Sequence, residues 1–90
     1  MGQPTKEEIF NTVKEDIAQC SQYPISSIKD IYELKKGPLR MNNIGFILLR
    51  RRLSRFVKKY KPNKTIFKKE LTKSGVTIKK VCELVFNKIQ

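Results

Sequence analysis

Apolar residues recur at helical spacing along almost the whole chain, and nowhere do they alternate with period two for long enough to build a sheet. That regularity restricts the fold to the all-α class. Thr5 and Glu8 form a capping box, in which hydroxyl and carboxylate each satisfy a backbone N–H at a helix start. Ile9, Val13, Ile17 and Cys20 then share one face, which predicts a first helix over residues 6–20, broken by Pro24. After a loop to Ser27, the residues Ile28, Ile31 and Leu34 predict a short helical turn that Gly37-Pro38 must end. Asn42 or Asn43 caps the next helix, and capping is the expected role of Asn43 in preference to any special one. From there Ile44, Ile47, Leu49, Leu53, Phe56, Val57 and Tyr60 form a stripe that runs on until Pro62 stops it. A shorter third helix is expected over 65–73, with Ile66, Phe67 and Leu71 apolar and Ser74-Gly75 closing it. Thr77 caps the last helix, whose buried face is Ile78, Val81, Cys82, Val85 and Ile89, with Val76 and Val81 as a hydrophobic staple.

Ninety residues leave room for one core, so a single domain over 1–90 is expected. Its charge is unevenly placed. Residues 1–34 hold Lys6, Lys14 and Lys29 against six acids, a net of −3, whereas 35–80 hold sixteen basic residues against Glu70 alone, a net of +15. A small domain needs a net charge of only about 2–8 for solubility, so the excess implies an anionic partner.

Several kinds of chemistry find no support. The chain has no histidine, which removes the usual base for a serine or cysteine nucleophile and the commonest zinc ligand. All but two of the acids lie in residues 1–34, mostly at helix-surface spacing, and no glycine-rich phosphate loop occurs. The expectation is a protein without enzymatic activity, metal or cofactor. Cys20 and Cys82 sit within apolar-periodic stretches and read as core residues of a reduced, cytoplasmic protein. The longest apolar run, Ile44 to Leu49, is six residues including Gly45, far short of the roughly 20 that cross a bilayer. Met1-Gly2 lacks the serine or threonine that a myristoylation signal carries at position 6, where Lys6 stands.

The helix order, together with particular residues, resembles the acyl carrier protein family. Glu8 to Ile17 is similar to that family's first helix, and Ile28 with Leu34 to its loop. Leu39-Arg40-Met41-Asn42-Asn43-Ile44 occupies the place of the Leu-Gly-x-Asp-Ser-Leu/Ile sequence, whose serine carries phosphopantetheine at the start of helix two. With Asn43 at the serine position, Ile44, Ile47, Leu49, Leu53 and Val57 fall where the family has buried apolar residues, Pro62 resembles its post-helix proline, and Thr77 to Val81 its fourth-helix start. The resemblance implies a four-helix bundle of acyl-carrier type. Its central motif is altered, because Asn42-Asn43 stands for Asp-Ser and an asparagine amide cannot become the phosphodiester oxygen. Family members generally present an acidic helix two, whereas this one carries Arg50, Arg51, Arg52, Arg55, Lys58 and Lys59.

Those six residues are therefore the expected partner-binding set, with an acidic protein as the favoured partner and nucleic acid as the alternative. For the alternative, Leu71 to Val81 has the short-helix, glycine-turn, capped-helix order of a helix-turn-helix spanning 66–89. In that reading Thr77, Lys79 and Lys80 would open the recognition helix, although Leu71 stands where a small residue usually lets the two helices cross.

Overall fold

In the computed structural model, which describes residues 3–90, four helices share one core. Met1-Gly2 lies outside the described residues. The helices are α1 (Lys6–Ser21), α2 (Asn43–Lys58), α3 (Lys68–Thr72) and α4 (Ile78–Ile89), with a 3-10 turn at Ile25–Ser27. Among the described residues there is no strand, and the one bridge pairs Glu33 with Thr77 in antiparallel fashion. The capping box of α1 is in place, with Glu8 N–H donating to the Thr5 hydroxyl at 3.1 Å and Thr5 N–H to Glu8 Oε1 at 3.2 Å.

The packing follows from the buried faces. Ile9, Val13 and Ile17 of α1 meet Leu49, Leu53 and Val57 of α2 and Ile78, Val81, Val85 and Ile89 of α4 in a single apolar cluster. Contacts along α1 fix the directions. Cys20 lies by Gly45 and Asp16 by Arg52, so α2 runs antiparallel to α1. At the other end the Gln3 amide donates to Ile89 O and Lys6 lies over the Phe86 ring, so α4 is antiparallel to α1 as well. At Gly45 the approach is close enough that a Cβ would sit 3.1 Å from the Cys20 carbonyl oxygen. A hydrogen there lets the end of α1 rest against the start of α2.

Three expectations are corrected. The segment 28–34 makes one hydrogen-bonded turn, with Tyr32 N–H donating to Lys29 O at 3.0 Å, and no helix. Leu34 N–H donates to Val76 O at 3.1 Å and Ile78 N–H to Tyr32 O at 3.0 Å, so the chain is drawn out along the start of α4. Ile28 and Leu34 are buried there and Ile31 is left 77% exposed. In α2 the buried residues are Phe46, Leu49, Leu53 and Val57, whereas Ile44 is 66% exposed and Ile47 only half-buried. The helix is rotated from the expected register, with Gly45 facing α1, and its cap is Asn42. Helix α3 begins at Lys68 rather than near 65, with Ile66 buried in the extended lead-in and Phe67 exposed.

That lead-in is held by Ser54, the one buried polar residue in the core of the described chain. Its hydroxyl accepts from Ile66 N–H at 3.0 Å and from the Thr65 hydroxyl at 3.0 Å, and donates to Ile66 O at 3.2 Å. A hydroxyl in mid-helix thereby pins the loop that leaves α2 back onto α2.

Candidate functional site

The site is the start and outer face of α2. Asn42 has extended backbone and its Oδ1 accepts from Gly45 N–H at 2.8 Å, which satisfies one of the free donors of the first turn. Asn43, at the position that the carrier resemblance gives to serine, is an exposed first-turn residue rather than the cap, and its side-chain oxygen accepts from Lys68 Nζ. This contact ties the start of α3 to the start of α2. Neither asparagine offers a hydroxyl, so these residues do not fit a phosphopantetheine arm.

Burying Phe46, Leu49, Leu53 and Val57 fixes what the opposite side presents. At 100° per residue, Ile44, Leu48, Arg51, Arg55 and Lys58 follow one another at spacings of four, three, four and three and share the outward face. All five are exposed. The outer face is therefore aliphatic in its first two turns and cationic in its last two. Lys59 is exposed at its end, as the C-cap.

The six expected partner residues do not act alike. Arg50 is half-buried on the inward flank and does not join the face. Arg52 turns toward α1 and pairs with Asp16 at 3.5 Å. Arg51, Arg55, Lys58 and Lys59 stay exposed, and none of them makes an ion pair among the described residues. Asp16 shares a groove with Arg52, Arg55 and Lys59 and is paired with Arg52, and three further acids have partners away from α2. Asp30 pairs with Lys14 at 2.8 Å, and Glu70, the one acid of the basic segment, pairs with Lys88 at 3.4 Å while accepting from Phe67 N–H at 2.9 Å. Glu33 accepts from Gly75 N–H at 3.1 Å.

Sequence reasoning missed the aliphatic half of this face, having assigned Ile44 to the core and left Leu48 out. Centring the helical wheel on Phe46 instead of Ile44 would have found both. Beside them lies a cleft of about 230 Å³ between the end of α1 and the start of α2, lined on one side by Leu39, Met41, Ile44 and Leu48 and elsewhere by polar groups that include Gln19, Gln22 and Arg40. Small-molecule sites usually occupy about 300–1,000 Å³, so this cleft suits one side chain better than a substrate.

The titratable groups near the core are quiet. Burial pushes the Cys82 thiol up to about 12 and raises that of Cys20, which keeps both protonated and poorly nucleophilic at neutral pH. Burial also raises the Asp16 carboxyl above its usual range, against the lowering effect of Arg52. No group of three or more potential metal ligands occurs among the described residues.

At the start of α4, where the helix-turn-helix reading places Thr77, Lys79 and Lys80, the backbone N–H groups are taken by the chain itself while the Lys79 and Lys80 side chains are exposed. Ile78 N–H donates to Tyr32 O at 3.0 Å, Lys79 N–H to Asp30 O at 3.1 Å and Lys80 N–H to the Thr77 hydroxyl at 3.3 Å. The 30–34 segment thus lies beside the start of α4, with Asp30 and Glu33 in it. No described helix is long and apolar enough to cross a membrane. No protein-family model matches the chain, and neither the curated proteins nor the solved structures give a match.

Proposed function

We propose that the protein is a non-enzymatic docking module of acyl-carrier-like design, without the phosphopantetheine serine, which holds an acidic protein partner on the outer face of α2. The observation that carries this reading is the set of exposed, unpaired cations Arg51, Arg55, Lys58 and Lys59 on a helix whose opposite side is locked into the core. The order of four helices, and Asn43 at the exposed start of α2, support a carrier-like domain kept for its contacts, as an accessory of a fatty-acid, polyketide or peptide assembly system. The cations alone would suit nucleic acid equally well. Ile44 and Leu48, next to the cations on the same face, favour a protein, because nucleic-acid surfaces interleave basic residues with aromatic stacking platforms and the aromatic residues of α2, Phe46 and Phe56, are buried or half-buried.

Zero-length carbodiimide coupling in an extract of the source cells tests the reading, since it joins lysine only to a carboxylate in direct contact. Cross-links to acidic protein segments are expected at Lys58 and Lys59, insensitive to nuclease and lost in Arg51→Glu/Arg55→Glu. Cross-links spread evenly over all the lysines, or abolished by nuclease, would sink it.

A further inference from the structure

Resting on that reading, we propose that the partner element is an acidic amphipathic helix. One large apolar side chain of it enters the cleft beside Ile44 and Leu48, and its carboxylates lie over Arg51 and Arg55. Three features of the α2 face lead there. Ile44 and Leu48 are 66% and 44% exposed although large and aliphatic, and they sit at the rim of the cleft rather than scattered over the surface. The cleft has an apolar side made by Leu39, Met41, Ile44 and Leu48, faced by the polar Gln19 and Gln22, and its volume of about 230 Å³ admits one side chain. The cations begin one turn further on, and Arg55 lies seven residues beyond Leu48, about 10 Å along the helix axis.

A helix laid along α2 meets this surface with matching periodicity. An apolar anchor seated at Leu48 brings residues one and two turns away over Arg51 and Arg55, and glutamates at those positions complete the interface. An anionic membrane is the poorer match. A flat surface cannot fill a cleft, and Glu15 stands with Ile25 at the neighbouring end of α1, where the headgroups would lie. The order along α2, aliphatic first and cationic second, places the partner's anchor over the α2 N-terminus and its carboxylates toward the C-terminus.

The test uses a fluorescein-labelled helical peptide with one tryptophan as anchor and glutamates three, four, seven and eight residues along. It is titrated with the full chain by fluorescence anisotropy. Saturable one-site binding is expected, weakened at least tenfold by Leu48→Ser on the apolar side, by Arg51→Glu/Arg55→Glu on the charged side, and by tryptophan-to-serine in the peptide. A peptide that binds through the arginines but ignores Leu48→Ser and loss of its tryptophan would overturn the anchored-helix inference while leaving the acidic-partner reading standing. Indifference to all three changes would overturn both. Tighter association with anionic phosphatidylserine vesicles than with the peptide, lost in Leu48→Ser, would replace the helix by a membrane surface and overturn the inference too.

Discussion

Ser54 shows how much one side chain decides. With three hydrogen bonds, all to residues 65 and 66, it holds the chain that follows α2 against the helix, where Ile66 is buried. Ser54→Ala would keep the helix and leave Ile66 N–H and C=O buried without partners, so we expect a loss of about 1–3 kcal/mol in denaturant unfolding. A change no larger than that of an exposed serine on the same helix would show that solvent reaches those groups. Nothing in the sequence marked this residue. A serine midway along a basic helix reads as surface, and only the return of Ile66 onto α2 makes it interior. Gly45 was equally illegible, because the need for a missing Cβ comes from Cys20, distant in sequence. Caps were legible where the motif is local, as with Thr5 and Thr77. Between Asn42 and Asn43 the choice depended on how α2 is rotated, which adjacent identical side chains cannot disclose.

At the scale of elements, the apolar spacing specified that α1, α2 and α4 would form and which faces of α1 and α4 would be buried, but misjudged the rotation of α2. Its opening turns carry Ile44, Phe46, Ile47, Leu48 and Leu49, so several stripes through Leu53 and Val57 were available and the close approach at Gly45 selected one. The corrected rotation has measurable consequences. Leu53→Ala is expected to cost about 2–5 kcal/mol as a core truncation, and Ile44→Ser about 0.5 kcal/mol or less as a surface change, both read by thermal or denaturant unfolding. A larger loss at Ile44 would restore the register read from the sequence. The α1–α2 pair of Asp16 and Arg52 can be checked by pH. Burial raises the folded-state carboxyl of Asp16 above its unfolded value, so the folded state binds its proton more tightly. Ionising Asp16 therefore costs stability as pH rises from about 4 through the raised value, and the cost is absent below both. Asp16→Asn should be at least as stable as the native chain near neutrality, with the difference vanishing in acid. If the variant is instead clearly less stable at pH 7, the ion pair with Arg52 outweighs desolvation.

Taken whole, the described chain has a radius of gyration of 12.1 Å, close to the roughly 12 Å of a compact domain of this length, and carries a formal charge of +12. The sequence located that charge in residues 35–80, and the folded chain divides it. Arg51, Arg55, Lys58 and Lys59 stand on the outer face of α2, whereas Lys79 and Lys80 are exposed on α4, which packs on the inner side of α2. A helix with its side chains is about 10–12 Å across, more than the roughly 8 Å Debye length at physiological salt and well under the ~30 Å at 0.01 M. A carboxylate seated on α2 therefore feels the arginines directly and the α4 lysines only in dilute salt. Two variants with the same formal charge of about +8 separate place from amount, since each reversal changes the charge by about two. At 0.15 M salt, Arg51→Glu/Arg55→Glu should lose binding to the acidic helical peptide while Lys79→Glu/Lys80→Glu keeps it. At 0.01 M the second variant should weaken as well, because the long-range attraction of the α4 lysines is removed although no ion pair with the peptide is broken. Duplex DNA, bound through phosphates wherever the cations are dense, should respond to both reversals and weaken steeply with salt for every form of the chain. Equal loss of peptide binding by the two variants at 0.15 M would mean that net charge, and not the face of α2, attracts the partner.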